Sequence, residues 1–269
     1  MKKFLLSLVF VPFMLFSLEE QPWFGNVYEF FLLSEYSYSR FKEIDRASPQ
    51  LTKPQNVHNL YFDLAFSPSS AWNMDLELQC FATPFQDFNF STTAFQLRYL
   101  WKDDVIGDPV SFSTGASLRI VTDQTVKDPD TLMHGEVEFE VNAAMGKEFD
   151  FKQAWRQRIW LYGALGQANK GRLFLKGVLS LEGNIHEKHK WALFARANRG
   201  YGTERTIDPN HFSGYGKVHY KKVDLGIRYG YRIESVGTLR LEYQRRILNV
   251  LTPKDVNRFT IGFLLPFSF

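Results

Sequence analysis

Apolar and polar residues alternate along most of the chain in segments of about ten residues. The last segment, 258–269, shows the pattern clearly, since its alternate positions from Phe259 onward are all large and apolar. A period of two with one apolar face is typical of a β-strand that turns one side away from water. The segments 74–82, 223–233 and 238–246 alternate in the same way, with polar, charged or small residues on the opposite face. The pattern therefore predicts an all-β fold.

About twelve such segments follow one another, separated by connections that tend to be long and short in turn. The predicted strands lie near 26–40, 56–67, 74–83, 92–102, 110–121, 135–147, 155–166, 172–184, 190–199, 217–233, 238–248 and 256–269. Long connections at 42–55, 122–134 and 200–216 follow odd-numbered strands, and short ones follow even-numbered strands. The connection between strands seven and eight breaks this rule because it is short. The alternation predicts a transmembrane, antiparallel, up-and-down β-barrel of about twelve strands.

The beginning of the chain has a different pattern. A basic start precedes an apolar run at 4–16, and polar residues return at 18–20. This order is typical of a secretory signal peptide, and the run is shorter than the roughly 20 residues that a membrane-spanning helix needs. We predict a signal peptide over 1–17, with cleavage near its end, and one barrel domain over 18–269.

The closing strand resembles that of bacterial outer-membrane β-barrels, which end in an aromatic residue. The resemblance implies an outer-membrane location, with outer-membrane lipid around the barrel, and makes Phe267 and Phe269 part of the signal that the barrel-assembly machinery reads. Because short turns face the periplasm in that superfamily, both termini are expected on the periplasmic side. A soluble β-sandwich would show the same alternation. The signal segment and outward aromatic residues near predicted strand ends favour the barrel; these aromatic residues are Trp72, Tyr99, Trp101, Tyr229 and Tyr231.

Composition excludes some partners and cofactors. The formal net charge is +3 and the chain has no basic tail, so nucleic acid is not an expected partner. Cys80 is the single cysteine and falls on the lipid-facing parity, which favours an inert thiol. His186 and His189 lie on a predicted tight turn without carboxylates at ligand spacing, so we expect neither a metal site nor a cofactor. The oligomeric state stays open.

If the polar face of each strand points inward, two sets of opposite charge line the lumen. The acids lie mainly on strands one to three and six: Glu29, Glu35, Asp63, Asp75, Glu77, Glu136, Glu138 and Glu140. The arginines gather on strands nine to twelve: Arg196, Arg228, Arg232, Arg240, Arg246 and Arg258. A transverse field would then cross the lumen. In this respect the chain resembles general porins, which use such a field to orient hydrated solutes.

Strand pairing sharpens this expectation. Pairing about the turn at 234–237 would bring Arg232 close to Arg240, and pairing about the next loop would bring Arg246 close to Arg258. Like charges directly opposite each other are destabilising, so each pair needs an acid, water or a bound anion. One interpretation is an anion-attracting path along strands ten to twelve, and the other is a lumen closed by salt bridges. Roughly eight strands enclose a filled interior and about 16–18 an aqueous channel, so twelve strands leave both open.

The favoured function is passive passage of small hydrophilic solutes, with anions as the solutes that the arginines would attract. A second hypothesis is a non-conducting structural or adhesive barrel that works through its loops at 42–55 and 200–216.

A third hypothesis is lipid hydrolysis. His211 and Ser213 are two residues apart, a spacing that on a strand places imidazole and hydroxyl on one face. This H-x-S fragment resembles the one in outer-membrane phospholipase A, itself a twelve-stranded barrel, and the resemblance would make His211 the base and Ser213 the nucleophile. The chain departs from that family directly afterwards, with Gly214-Tyr215 in place of Asn-Gly.

Overall fold

The strands of the protein form one closed antiparallel barrel. The computed structural model describes residues 20–51, 53–150, 155–234 and 236–268, and twelve strands lie within them. Their bounds are β1 Phe30–Phe41, β2 Gln55–Ser69, β3 Trp72–Thr83, β4 Gln86–Lys102, β5 Ser111–Val121, β6 Val137–Asp150, β7 Trp155–Ala168, β8 Phe174–Ile185, β9 His189–Gly200, β10 Lys221–Ile233, β11 Gly237–Val250 and β12 Asn257–Phe267. The predicted signal peptide over 1–17 and the predicted assembly residue Phe269 lie outside the described residues.

Helices are few and short in this part of the chain. One helical turn, α1 (Asp123–Val126), and two 3₁₀ turns, Asp104–Ile106 and Tyr215–Lys217, lie in the connections between strands. Among the described residues, no helix is both long enough and apolar enough to cross a bilayer.

The barrel closes between its first and last strands. Each strand pairs with its neighbours in sequence order, and β1 pairs with β12. Phe30 lies opposite Phe267 and their rings stack with centroids 5.4 Å apart, while Phe66 stacks on the other side of Phe30 at 4.4 Å. Closure removes the unpaired strand edges that would otherwise invite association with other chains. The predicted up-and-down barrel of about twelve strands is confirmed.

The two faces of the barrel differ as the alternation predicts. On β11, Leu241 is 47% exposed on the outside, whereas Arg240 and Gln244 are each 5% exposed and point into the lumen. Phe259 and Ile261 of β12 are likewise exposed on the outside. An outer surface of exposed apolar side chains around a polar interior is typical of barrels that face lipid.

We call the two openings of the barrel the turn end and the loop end. The turn end carries the first residue of β1 and the last of β12, and the loop end carries the long connections. Two boundaries differ from prediction. The first strand begins at Phe30 instead of near 26, because Tyr28 has a φ of 62°, which is incompatible with an extended strand. The fourth begins at Gln86 instead of near 92, so the connection before it is a two-residue turn at 84–85.

Apolar residues of the loops and adjoining strand ends pack into a layer at the loop end, which we call the loop cap. Its buried members are Phe41, Ile44, Ala47, Val57, Phe81, Val121, Val126, Met133, Ile207, Phe212, Tyr215, Val218, Tyr220, Leu251 and Val256. Tyr215 is fully buried at the centre, and its hydroxyl donates to the carbonyl oxygen of Pro129 at 2.7 Å. Gly214 has a φ of 102°, and a Cβ there would lie 2.8 Å from the carbonyl oxygen of His134. The loops thus form a close-packed cover.

Candidate functional site

Charged side chains that point inward meet as ion pairs in the lumen. Arg119 donates to Glu77 at 2.8 Å, and Arg228 lies 2.7 Å from Glu242. Other pairs between strands include Arg98 with Asp75 at 3.6 Å, Arg196 with Glu242 at 3.1 Å, Arg240 with Glu35 at 3.4 Å, Arg246 with Asp224 at 2.7 Å, Lys176 with Glu140, and Arg158 with Glu148. Most of the lumen charge is therefore neutralised locally.

The predicted acids occupy two kinds of position. Six line the lumen: Glu35, Asp63, Asp75, Glu77, Glu138 and Glu140. Glu29 differs from the prediction because it precedes β1, where its carboxylate accepts a hydrogen bond from Asn26. Glu136 also differs, since it precedes β6 at the loop end and pairs with Lys170 outside the lumen.

The register separates the arginines that were predicted to be opposite each other. Arg232 lies opposite Thr238 and pairs with Glu187 of the turn at 3.5 Å, while Arg240 lies opposite Gly230. Sequence reasoning placed the turn one position away from where the strands actually pair.

The second predicted pair is offset along the strands but stays close, since the backbone of Arg246 donates to Val256, two residues before Arg258, and both arginines line one cavity. Arg258 lies opposite Gln244, and an irregularity at Val223/Asp224 brings Arg246 opposite Asp224, which binds it. Neither predicted arginine pair is directly opposed.

Two adjoining polar cavities occupy the lumen on the loop-end side. One of about 240 Å³ lies at mid-lumen, and one of about 270 Å³ lies closer to the loop cap. They share the lining residues Glu20, Ser37, Asn59, Gln79, Arg119, Lys176, Arg196 and Arg258. Each exceeds by several times the roughly 30 Å³ that one water occupies in the liquid.

The chain before β1 enters the lumen from the turn end. We call residues 20–25 the inner plug. Arg98 donates to the carbonyl oxygen of Gln21 at 2.8 Å, and Glu20 reaches Arg196 at mid-lumen, 3.9 Å away. Trp23 is 3% exposed. The inner plug therefore occupies part of the turn-end half of the lumen, and a cavity of about 70 Å³ lined by Arg158, Lys190 and Arg240 also lies in that half.

Trp23 is the main anchor of the inner plug. Its indole nitrogen donates to Asp104 at 2.8 Å, and the Arg158 guanidinium lies 4.2 Å from the ring centroid. Burial raises the pKa of Asp104, but hydrogen bonds from the backbone of Glu148 and from Ser111 and Trp23 outweigh it, so the pKa is lower than usual. Trp23 thus binds an ionised carboxylate.

Two glycine positions leave room for the inner plug. A Cβ at Gly146 would lie 2.6 Å from the Trp23 ring and 3.0 Å from Pro22, and a Cβ at Gly25 would lie 2.4 Å from the Phe31 ring. Sequence reasoning missed this element, although an aromatic pair directly before the first strand was a signal for it.

His134 links the loop cap to the barrel wall and was also missed. Its ring lies 3.1 Å from Glu138 through Nδ1 and 2.7 Å from the Tyr220 hydroxyl through Nε2. The ring stacks on Phe174 with centroids 3.6 Å apart. A buried histidine held on three sides orders the loop that carries it.

The candidate hydrolase residues lie on the outer surface of the loop cap. His211 is exposed, and its Nδ1 lies 2.9 Å from Asp208, which lowers the pKa of that carboxyl. The Ser213 hydroxyl accepts a hydrogen bond from Lys217 at 3.3 Å. Within the described ranges no hydrogen bond joins His211 to Ser213, the contact that base-activated nucleophilic catalysis requires. In the same ranges, no three His, Cys, Asp or Glu side chains are grouped to hold a metal ion.

No protein-family model matches the chain, and no curated protein sequence matches it. Solved structures do match. The COG4313 outer membrane channel from Pseudomonas putida F1 is 11% identical, with a TM-score of 0.59 over 90% of this chain and 96% of that one. The NanC porin is 8% identical, with a TM-score of 0.53 over 87% and 98%. The KdgM porin in complex with disordered oligogalacturonate is 10% identical, with a TM-score of 0.50 over 88% and 99%.

At these identities the likeness concerns the fold. The chain shares the closed antiparallel β-barrel fold of these structures, and this agrees with the barrel predicted from its alternating strands.

Proposed function

We propose that the protein is an outer-membrane channel for small hydrophilic solutes, anions among them, whose lumen is narrowed by its own inner plug. Both termini would lie on the periplasmic side, and the barrel-assembly machinery would read the closing strand with Phe267 and Phe269. The observation that carries the proposal is the pair of adjoining polar cavities inside a barrel with an apolar outer surface.

The free energy of buried ion pairs indicates that the polar lumen serves a function other than stabilising the fold. Replacing a buried ion pair by well-packed apolar residues is often neutral or stabilising, by about 1–4 kcal/mol. A barrel that served only as a scaffold would gain little from many paired charges in its interior. A hydrophilic solute, by contrast, needs such groups to replace its hydration. The matching solved structures that are described as channels and porins support the same function.

The inner plug favours a second candidate, a non-conducting barrel. It narrows the turn-end half of the lumen, and the loop cap covers the other end. The channel hypothesis therefore requires the inner plug to move and the loop cap to open at least transiently.

Single-channel recording separates these two functions. The refolded chain from Leu18 and a variant that begins at Asn26 would be compared in planar bilayers, after heat-modifiable migration in gels has verified that both barrels fold. We expect brief or small current steps for the longer chain and larger, sustained steps for the variant, because the variant lacks the inner plug. If both folded barrels never conduct, the channel proposal fails and the non-conducting barrel stands.

A further inference from the structure

Three cations gather around one carboxylate in the lumen beneath the loop cap. Arg246 binds Asp224 through Nε at 2.7 Å and through Nη2 at 3.3 Å. Lys222 lies 3.7 Å from the same carboxylate, through Nζ. Both cations thus depend on a single acid.

Arg258 is the third cation and differs from every other arginine of the predicted wall. Arg196, Arg228, Arg232, Arg240 and Arg246 each have an acidic partner. In the part of the chain that the structure describes, the Arg258 guanidinium has no hydrogen-bond or ion-pair partner, and its Nε is buried. Arg246 and Arg196 repel it, and Asp224, already bound to Arg246, is the main acid that attracts it.

The other acids that line the cavity beneath the loop cap do not neutralise these three cationic side chains. Glu138 is engaged by His134, and Glu20 reaches Arg196. Burial, together with the neighbouring Asp128, raises the pKa of Asp130 to about 8, so that this carboxyl is mostly neutral at pH 7. Around Asp224, cationic groups therefore outnumber ionised carboxylates.

We propose that Lys222, Arg246 and Arg258 form a binding site for a small oxyanion. Unpaired buried charge is costly, and an oxyanion that accepts from the Arg258 fork and from Lys222 would offset that cost. The cavity of about 270 Å³ that these residues line has room for a phosphate or for the phosphate or carboxylate group of a small solute. The site deepens the proposed channel function and rests on it for the route by which the anion enters.

Equilibrium dialysis with labelled inorganic phosphate tests the site on the refolded full barrel in detergent. We expect saturable binding that weakens by about tenfold or more in Arg258→Gln and in Lys222→Gln, the loss typical of one charge-assisted hydrogen bond. Lys170→Gln is the matched control, since Lys170 is a cation at the same end of the barrel that pairs with Glu136 outside the lumen. Its phosphate affinity should equal that of the native chain.

Two results would overturn the site. One is the absence of saturable phosphate binding to the folded native barrel. The other is unchanged affinity in both lumen variants, with folding verified by heat-modifiable migration, since binding would then lie elsewhere. The assay needs no ion current, so a barrel that binds phosphate but never conducts would contradict the channel alone. A barrel that conducts without binding phosphate would contradict the site alone.

Discussion

The loop cap and the inner plug cover the two ends of one barrel by different means. The loop cap is built from buried apolar side chains drawn from four connections, with Tyr215 fully buried among them. The inner plug is one short segment, and Trp23 is its one residue in a buried apolar cluster, where it packs with Trp160 and Tyr162. Its other anchors are the hydrogen bonds of Trp23 and Gln21 and the arginine guanidinium groups over its aromatic rings.

The difference indicates which end opens more easily. Apolar burial contributes roughly 25 cal/mol per Å², so opening the loop cap means exposing many side chains at once. The polar anchors of the inner plug can be exchanged for hydrogen bonds with water in the lumen, each at a net cost of only about 0.5–1.5 kcal/mol. Segments with few buried apolar contacts are the ones that open locally. We therefore expect the turn end to open more often than the loop end.

The largest expected effect comes from Tyr215→Ala, which tests whether buried apolar side chains hold the loop cap closed. Removing a large buried aromatic ring typically costs about 3–5 kcal/mol. The Tyr215 ring packs edge-to-face on Tyr220 and Phe212. We expect the loops at 122–136 and 201–220 to become sensitive to proteases in the folded barrel, which gel electrophoresis of timed digests would detect.

Tyr215→Phe is the control for this experiment. It keeps the ring and removes only the hydrogen bond to Pro129, so the loops should lose about 1 kcal/mol and stay largely resistant. Equal resistance of the native and Tyr215→Ala barrels would show that the loop cap is not held by its apolar core.

The second prediction displaces the inner plug without replacing any residue that forms a hydrogen bond with it. In Gly146→Val the new side chain would overlap the Trp23 ring, and such overpacking costs about 1–3 kcal/mol. We expect a cysteine placed at Gln21, in a Cys80→Ser background, to react faster with a maleimide. The side chain of Gln21 is suitable because the anchor to Arg98 uses its carbonyl oxygen.

Gly163→Val is the matched control, since a Cβ there meets no atom within 4 Å and Gly163 lies on the outer face of β7 with Leu161 and Leu165. Its labelling rate should equal that of the parent barrel. Equal rates for Gly146→Val and Gly163→Val would mean that Gly146 does not seat the inner plug.

The same contrast explains how far the sequence alone could go. A period of two decides which side of a strand each residue occupies, so the inward positions of Arg240 and Glu242 and the outward position of Leu241 follow from parity. The loop cap has no such period, because its members come from separate connections that meet only when the barrel closes. The alternation therefore predicts which side chains of a strand face the lumen, but it does not predict how the loops pack over the end of the barrel.

The strand register and the position of the inner plug could not be predicted from the sequence, for related reasons. The partner of Arg246 depends on the irregularity at Val223/Asp224, and neither residue type is one that predicts a β-bulge. Residues 20–25 have no period of their own, and their position depends on Asp104 and Gly146, far away in sequence. These contacts join residues that are far apart in sequence, so they form only when the barrel closes.

The third and smallest effect concerns pH at the turn end. The Trp23 hydrogen bond helps to lower the pKa of Asp104 below its ordinary value near 3.8, so the bound inner plug favours the ionised carboxylate. Its contribution is fully present above pH 4 and is lost as the pH falls through the lowered pKa. Replacing a charge-assisted hydrogen bond by a neutral one costs about 1 kcal/mol, or roughly fivefold in the equilibrium.

Single-channel recording measures this shift as the fraction of time that the full barrel conducts. Between pH 6 and pH 3 we expect that fraction to rise up to about fivefold in the native chain. Asp104→Asn, which keeps the side-chain shape and cannot ionise, should conduct for the larger fraction at both pH values. A native barrel whose open fraction is the same at both pH values would show that the Asp104 contact does not control the inner plug. An Asp104→Asn barrel that still responds would place the acid-sensitive contact outside the inner plug. In that case the loop cap, with its buried Asp130, would become the end that moves.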